Sequence, residues 1–287
     1  MKSSNIGGQA VMEGVMMRNA DKYAVAVRKT DGEIVVKTEE YKGIVQNKKI
    51  RSLPIIRGVF SFIDSMVLGM STLTYSASFF MDEEEEEKDE KKESVMMGLT
   101  IACSVVMAVA IFMILPYFLS QLFRKFTDST TLITLLEGAV RLVIFFGYIL
   151  LISRMKDIQR VFMYHGAEHK CINCIEHGME LNVENVLKSS RLHKRCGTSF
   201  LFIVMIVSII FFLFIRIESP IWRVVFRLLL IPVIAGVSFE FIRLAGKSEN
   251  KLVILLSKPG MMLQKLTTRE PDASMAEVAI ASVEAGF

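Results

Sequence analysis

The sequence has little of several residue types and motifs that usually mark a functional class. Its 287 residues include only four cysteines, four histidines and one tryptophan. It contains no phosphate-binding Walker loop, no dinucleotide-binding glycine fingerprint and no G-x-S-x-G nucleophile elbow. A cleavable signal peptide is not expected either, since MKSSNIGGQAVMEG has no apolar core before a small-residue cleavage site. Because these motifs are absent, the sequence indicates neither a substrate nor a nucleotide cofactor by this route.

Long apolar segments are what the sequence has instead, and hydrophobic residues make up 52% of it. Four segments have the apolarity and the length of about 20 residues that a membrane-spanning helix needs. A helix in a soluble core rarely runs this long without a polar face. The sequence predicts a mainly α-helical, polytopic membrane protein with four transmembrane helices, at roughly 95–118, 132–153, 198–215 and 223–243.

The distribution of lysine and arginine predicts the orientation, because basic loops are retained on the cytoplasmic side. The segment up to residue 57, the loop 154–197 and the tail after residue 243 are rich in Lys and Arg, whereas the two remaining loops are short and hold few. We therefore expect a multi-pass protein of the cell membrane with both termini in the cytoplasm. Topology accounts for the basic residues, so membrane lipids and not nucleic acid are the expected partners. The pattern names no protein partner and no oligomeric state.

The parts outside the predicted spans differ in character. KYAVAVRK and EIVVKTEE alternate apolar and polar residues around Asp31-Gly32, which predicts a β-hairpin in a small N-terminal cytosolic α/β piece. Gly7-Gly8 is expected to form a tight loop or a turn. Residues 57–81 place apolar and polar side chains on opposite helical faces, which favours an interfacial helix over a span. The predicted segments are the α/β piece 1–56, the interfacial helix 57–81, an acidic linker 82–94, transmembrane helices in 95–153, a helical cytosolic loop 154–197, transmembrane helices in 198–243 and a cytosolic tail 244–287.

Metal-binding residue types are concentrated in YHGAEHKCINC, residues 164–174, and in the residues that follow. On a helix, side chains four residues apart point to the same side about 6 Å apart along the axis, so His165 and His169 face one site. Glu168 lies close enough to share it. H-x-x-E-H is the reverse of the zinc-protease signature, in which two histidines bind zinc and the glutamate activates water. The motif predicts a divalent metal, and zinc is favoured because it lowers the pKa of bound water to about 7.

The spacing does not decide the remaining ligands. Cys171 and Cys174 point away from the histidine pair on a continuous helix, and the reducing cytosol keeps them as thiols. A third ligand is expected in RLHKRCGTSF, which contains His193 and Cys196. Three interpretations stay open: His165, His169 and His193 with Glu168 as general base; a structural clip of Cys171, Cys174, His193 and Cys196; and no metal, with the histidines hydrogen-bonded or in contact with phosphate.

Three motifs in order, GGQAVMEGVMMR, YHGAEHK and RLHKRCGTSF, resemble those of the bacterial YqhQ-like membrane proteins. The resemblance extends from about residue 7 to EVAIA in the tail, and the acidic linker looks like a variable insertion. That family carries a domain of unknown function and the label of a predicted metal-dependent enzyme, so the resemblance implies a metal site without naming a reaction. By position, the family motif falls on Gly7, Gly8, Glu13, Gly14, Arg18, His165, Glu168, His169, Glu176, His193, Arg195, Cys196 and Gly197.

Two hypotheses for the function follow. In the first, the protein is a metal-dependent hydrolase at the cytoplasmic membrane face, with Glu168 as general base. Its metal ligands come from His165, His169, His193 and Cys196, and the further site candidates are Glu13, Arg18, Glu176 and Arg195. In the second, the protein is a non-catalytic scaffold or assembly factor, or a lipid- or ion-handling protein, in which a metal or polar cluster holds the cytosolic parts together.

Overall fold

A computed structural model describes residues 4, 6–80, 90–215, 217, 219–248 and 250–286. Over these residues the chain is mainly helical, with an antiparallel sheet near the N-terminus. It forms two compact units, one from the described residues of 1–80, 152–204 and 235–287 and the other from those of 81–151 and 205–234. The predicted acidic linker 82–94 lies outside the described residues except for its end, where a helix begins at Glu90.

Eleven α-helices are present in the described residues, and short 3₁₀ or π-helical turns adjoin some of them. In chain order they are α1 (Lys48–Ser52), α2 (Ile56–Ala77), α3 (Glu90–Val109), α4 (Leu115–Gln121), α5 (Thr130–Ile152), α6 (Lys156–Glu176), α7 (Val183–Lys188), α8 (Gly197–Phe214), α9 (Pro220–Lys247), α10 (Lys251–Thr267) and α11 (Ala273–Gly286). A 3₁₀ turn at Ser78–Phe80 extends α2. A π-helical turn at Ala110–Ile114 joins α3 to α4, and a 3₁₀ turn at Leu122–Lys125 follows α4.

The N-terminal sheet is an antiparallel meander of four strands in the order β1-β2-β3-β4. They are β1 (Ile6–Val11), β2 (Gly14–Asn19), β3 (Lys22–Arg28) and β4 (Ile34–Glu40). The hairpin predicted around Asp31-Gly32 is confirmed as β3–β4, and Gly32 provides the left-handed φ of 89° at its turn. The loop or turn predicted at Gly7-Gly8 is wrong, because both glycines lie within β1. The first hairpin turns instead at Met12-Glu13, between β1 and β2.

Apolar clusters cover both faces of the sheet, because successive residues of a strand point to opposite sides. On one face Val15 and Met17 belong to a core that also contains residues of α6 and α11. On the other face Val11 and Met16 pack with Leu68 of α2. The sheet is therefore enclosed by α6 and α11 on one side and by α2 on the other, while β1 and β4 are its two edges.

Helix α2 turns polar residues toward the sheet and apolar residues outward, the reverse of an amphipathic helix in a soluble protein. Asp64 and Ser76 are buried, and the Tyr41 hydroxyl donates a hydrogen bond to Asp64 at 3.2 Å. Met66 and Val67 are 54% and 47% exposed. An exposed apolar face of this kind marks a surface that contacts lipid or another protein.

Five helices are long and apolar enough to cross a membrane, one more than the four spans that the sequence predicts. The additional helix is Ile56–Phe80, which the sequence assigns to the interface because it has a polar face. The other four overlap the predicted spans and are Val95–Lys125, Thr130–Ile152, Gly197–Phe214 and Pro220–Lys247. Their length and composition suggest a multi-pass membrane protein.

Inside the second unit, Glu137, Arg141 and Arg227 form a buried ion-pair cluster. The Glu137 carboxylate accepts hydrogen bonds from Arg141 at 2.9 Å and from two nitrogens of Arg227 at 2.5 and 2.9 Å. Arg141 also donates to the Ser208 hydroxyl at 2.9 Å. Shared hydrogen bonds offset the cost of burying these charges, which accounts for their presence in an apolar bundle.

Candidate metal centre

Helix α6 carries the histidine–glutamate motif on a buried face. His165 and His169 lie on consecutive turns, and their ring centroids are 4.4 Å apart. Cys196, immediately before α8, brings its thiol to the same place. One ligand atom from each of these three residues lies within 4.8 Å of the other two. We refer to His165, His169 and Cys196 as the His–His–Cys centre.

Backbone carbonyls fix the proton on one nitrogen of each histidine. His165 Nδ1 lies 2.8 Å from the carbonyl oxygen of Thr267, and His169 Nδ1 lies 2.7 Å from that of Arg191. A carbonyl oxygen can only accept, so each Nδ1 carries a proton and donates it. Each Nε2 is then the nitrogen left to bind a metal. Metal-binding histidines in proteins are commonly oriented in this way, by a hydrogen bond from the nitrogen that does not ligate.

The Cys196 thiol is buried against these rings and is acidified by them. Its sulfur lies 3.3 Å from His165 Nε2, and the Thr198 backbone N–H donates to it at 3.4 Å. Burial raises the pKa of Cys196, but the charges and hydrogen bonds of His165 and His169 outweigh burial and hold that pKa well below its usual value. Burial likewise lowers the pKa of His165, and the adjacent sulfur outweighs it and raises the pKa to about 9. The lowered pKa favours the thiolate, which is the form in which cysteine binds metals.

Glu168 lies beside the histidines as a buried carboxyl group. It is 5% exposed, and its side chain makes no hydrogen bond within the part of the chain that the structure describes. A Cβ added to Gly8 of β1 would come within 2.8 Å of the Glu168 side chain, so a glycine at this position leaves room for it. Burial raises the pKa of Glu168 against the opposing effect of His169 and His165. A carboxyl group with a raised pKa and no fixed partner suits proton transfer.

Glu176 and His193 form a second buried group next to the His–His–Cys centre. The Glu176 carboxylate accepts hydrogen bonds from the N–H and hydroxyl of Ser4 at 2.9 and 3.0 Å, and it pairs with Arg195. His193 Nε2 lies 3.4 Å from Glu176, and its ring centroid is 5.8 Å from that of His169. Burial raises the pKa of Glu176, but these partners outweigh it and lower the pKa to about 2. His193 therefore directs Nε2 to Glu176 and not to the three ligand atoms.

Cys171 and Cys174 lie in the apolar core that α6 shares with α11 and the sheet. Both are fully buried, and burial raises the pKa of both thiols. The Cys174 sulfur is 3.4 Å from the carbonyl oxygen of Glu180. Among the described residues, the metal-compatible group contains neither cysteine, so the structure does not bring together the four ligands of the cysteine clip.

Glu13 and Arg18, the candidates from the N-terminal piece, have other partners. Glu13 pairs with Arg160 and accepts a hydrogen bond from the Tyr164 hydroxyl at 3.2 Å. Arg18 donates to the Ala20 carbonyl at 2.8 Å and borders a cavity of about 300 Å³ between the sheet and α2. Neither residue belongs to the His–His–Cys centre.

The C-terminal tail takes part in the site, which the sequence analysis missed. Thr267, the last residue of α10, supplies the carbonyl that holds His165. The buried Gln264 side chain accepts from the His193 N–H at 2.9 Å and donates to the His193 carbonyl at 2.7 Å. A backbone carbonyl leaves no mark in a sequence motif. Gln264 is visible in the sequence, but it is one of several polar residues of α10 and belongs to no motif.

Comparison with known proteins identifies relatives of unknown activity. A family model described as "Protein of unknown function (DUF1385)" matches residues 53–287. The chain is also 37% identical to the uncharacterized protein YqhQ of Bacillus subtilis (strain 168), over 96% of this chain and 90% of that protein. No solved structure matches the chain.

Proposed function

The chain belongs to the family of proteins of unknown function DUF1385, and we propose that it is a membrane-associated, metal-dependent hydrolase. The observation that carries the proposal is the His–His–Cys centre. Both histidines commit Nδ1 to a backbone carbonyl, and the buried Cys196 sulfur lies 3.3 Å from His165 Nε2.

The chemistry of these donors fits a zinc ion held by His165, His169 and Cys196. Imidazole nitrogens and thiolates are the ligands that zinc prefers, and three protein ligands leave one position open, as in catalytic zinc sites. When bound, zinc supplies Lewis-acid polarisation of a substrate oxygen. His193 is not a ligand in this proposal, because its Nε2 faces Glu176.

Glu168 acts as the general base in this proposal. Burial raises the pKa of its carboxyl group, and the side chain makes no hydrogen bond within the described residues that would hold it in one protonation state. Glu176 and Arg195 act as positioning residues. They hold His193 and with it the segment that supplies the Arg191 carbonyl and Cys196.

We further propose that the centre works at the cytoplasmic face of the cell membrane. The basic loops support this orientation by the positive-inside rule. The outward apolar face of α2, with Met66 and Val67 about half exposed, supports a helix that lies in the lipid interface and not across the bilayer. Membrane lipids are the partners that this face requires.

The test compares Glu168→Gln with Glu277→Gln, a substitution of an exposed glutamate on α11. Full-length, zinc-loaded protein in detergent is assayed for p-nitrophenyl acetate hydrolysis, and its metal content is measured by mass spectrometry. Glu168→Gln is expected to reduce kcat by about 100-fold or more and to keep the metal, because general-base catalysis contributes factors of this size. Glu277→Gln keeps both. Unchanged hydrolysis in Glu168→Gln contradicts the proposal.

One observation favours the non-catalytic alternative. The centre joins α6 to the segment before α8, through Cys196 and the Arg191 carbonyl, and to the end of α10, through the Thr267 carbonyl. A structural zinc ion would hold these three elements together. Under this alternative, chelation lowers Tm, and the wild type does not hydrolyse the ester above the rate of the free buffer.

A further inference from the structure

We propose that the free edge of β1 binds an extended polypeptide, and that this polypeptide is the substrate presented to Glu168. The identity of the substrate rests on the proposed hydrolase function, whereas the binding edge stands on the sheet alone. Four features carry the inference: the position of β1, its hydrogen-bonding register, the placement of Glu168 over Gly8, and the adjoining cavity.

The register of the sheet determines which peptide groups of β1 point outward. β1 is an edge strand, since β2 is its single neighbour in the order β1-β2-β3-β4. The Arg28 N–H donates to the Glu13 carbonyl at 2.9 Å, so this pair across β2 and β3 is hydrogen-bonded. Hydrogen-bonded pairs alternate along antiparallel strands. The even-numbered residues of β2, such as Met16, therefore bond to β1.

Gly8 and Ala10 direct their peptide groups to the free edge. Gln9 pairs with Met16, so its N–H and carbonyl serve the ladder, and the residues on either side of it point away. Both are partly exposed, and within the described segments neither makes a hydrogen bond outside this ladder. Regularly spaced free donors and acceptors on a strand are what an added strand recognises.

The same stretch of edge lies under the proposed general base. A Cβ on Gly8 would meet Cγ, Cδ and Oε1 of Glu168 at 2.8–2.9 Å, so the carboxyl group rests directly on the Gly8 backbone. A strand added to β1 runs about 4.8 Å from it. Glu168 is therefore within reach of a peptide group of the added strand.

The cavity of about 300 Å³ gives the added strand a place for one side chain. It lies beside β1 and is lined by Gln9 and Arg18 of the sheet and by Ser65 and Leu68 of α2. Alternate side chains of a strand point to the same face. Leu68 and Arg18 favour an aliphatic stem that ends in a carboxylate or an amide. A lipid headgroup fits less well, since the free groups of this edge are peptide donors and acceptors.

Proline substitution removes an outward N–H of β1 and leaves the hydrogen bonds between β1 and β2 in place, because an outward N–H is not used within the sheet. Ala10→Pro deletes one outward donor of β1. Val36→Pro is the matched control on the opposite edge: Lys29 N–H bonds to the Glu33 carbonyl at 2.9 Å, so by alternation the Val36 peptide groups also point outward. The probe is fluorescein-labelled β-casein, an unstructured protein, added to full-length zinc-loaded protein in detergent.

Wild-type protein and Val36→Pro are expected to bind and cleave the casein with the same Kd and kcat/KM within about twofold. Ala10→Pro is expected to weaken binding by about fivefold or more, as the loss of one hydrogen bond does. Hydrogen exchange gives a readout without mutation, so that a folding defect in Ala10→Pro does not decide the result. Casein should slow exchange at the Gly8 and Ala10 amides of the wild type about tenfold.

The outcomes separate this inference from the hydrolase proposal. Hydrolysis of p-nitrophenyl acetate with no binding of casein overturns the peptide edge and leaves the hydrolase. Casein binding that protects Gly8 and Ala10, with neither casein cleavage nor ester hydrolysis, supports the edge and overturns the hydrolase. Hydrolysis of phosphatidylglycerol vesicles and not of casein assigns a lipid substrate and overturns the peptide proposal. Casein binding without protection at these two amides also overturns it.

Discussion

Glu168 and Glu176 belong to the same helix and both carboxyl groups are shielded from solvent, Glu168 more completely, yet their surroundings act in opposite directions. Glu176 is held by Ser4, Arg195 and His193, which lower its pKa to about 2. Glu168 makes no hydrogen bond within the described residues, and burial raises its pKa. The partners around each carboxyl group, and not burial alone, therefore set its pKa, which is low for Glu176 at the end of α6 and raised for Glu168 nearer the middle of the helix.

The difference shows how structural and functional polar groups can be told apart in a buried site. A buried group that is fully hydrogen-bonded stabilises the arrangement around it, whereas one without partners costs stability and is retained when it acts on a ligand. By this criterion, we propose that Glu176 with His193 and Arg195 holds the site together, and that Glu168 acts with the His–His–Cys centre on a ligand.

The largest effect on stability is expected from Glu176→Gln. It removes the charge that Arg195 and His193 face, so the metal-free protein should lose about 1–3 kcal/mol. Glu168→Gln should change stability by less than about 1 kcal/mol or raise it, because burial opposes its charge. Thermal unfolding in detergent with a chelator measures both. A larger loss in Glu168→Gln than in Glu176→Gln would reverse the assignment.

The pH dependence gives a second measure of the same contrast. The pKa of Glu176 is about 2 in the folded state, below an unfolded value of about 4.3, so its stabilising contribution is present above that value and is lost as the pH falls toward 2. The Tm of the wild type should therefore fall between about pH 5 and 3, because in this window the pH drops past the unfolded pKa of about 4.3 toward the folded pKa. Glu176→Gln should flatten this fall. An unchanged slope in the variant contradicts the ion pair.

A smaller effect on stability is expected at Gly8, because the Glu168 side chain packs against its backbone. Gly8→Ala places a methyl group 2.8 Å from the Glu168 side chain and should cost about 1–2 kcal/mol as overpacking. Gly7→Ala is the matched control, because a Cβ added at Gly7 meets nothing within 4 Å. The free energy of unfolding of this variant should stay within about 0.5 kcal/mol of the wild-type value or exceed it. Equal Tm values for the two variants would mean that Glu168 does not rest on Gly8.

Local spacing predicted the parts of this molecule that depend on local geometry. The four-residue interval brings the rings of His165 and His169 together, and the Asp31-Gly32 turn forms the expected hairpin. Contacts between residues far apart in the chain could not be predicted from spacing. The sequence placed both His193 and Cys196 near the histidine pair and favoured His193 in the histidine-centred site, whereas in the structure His193 faces Glu176, which Ser4 and Arg195 also contact.

Other features carry no signal of their own in a single sequence. The Thr267 carbonyl that orients His165 is backbone, and Gly8 acts by lacking a side chain. Helix α2 has the length and apolarity of a span although the sequence predicts an interfacial helix, because its polar residues, which mark a solvated face in a soluble helix, point toward the sheet. A buried polar face and an outward apolar face have the same period as the reverse arrangement, so periodicity alone cannot distinguish them.

The proposed zinc site is tested most directly by the metal content of the full-length protein. Three forms are compared: the wild type, Cys196→Ala and Cys171→Ala. The two cysteines are both buried, and only Cys196 lies within 4.8 Å of the two histidine nitrogens. Elemental analysis should find about one zinc per chain in the wild type and in Cys171→Ala, and little in Cys196→Ala. A wild type without metal, or a loss confined to Cys171→Ala, would contradict the account.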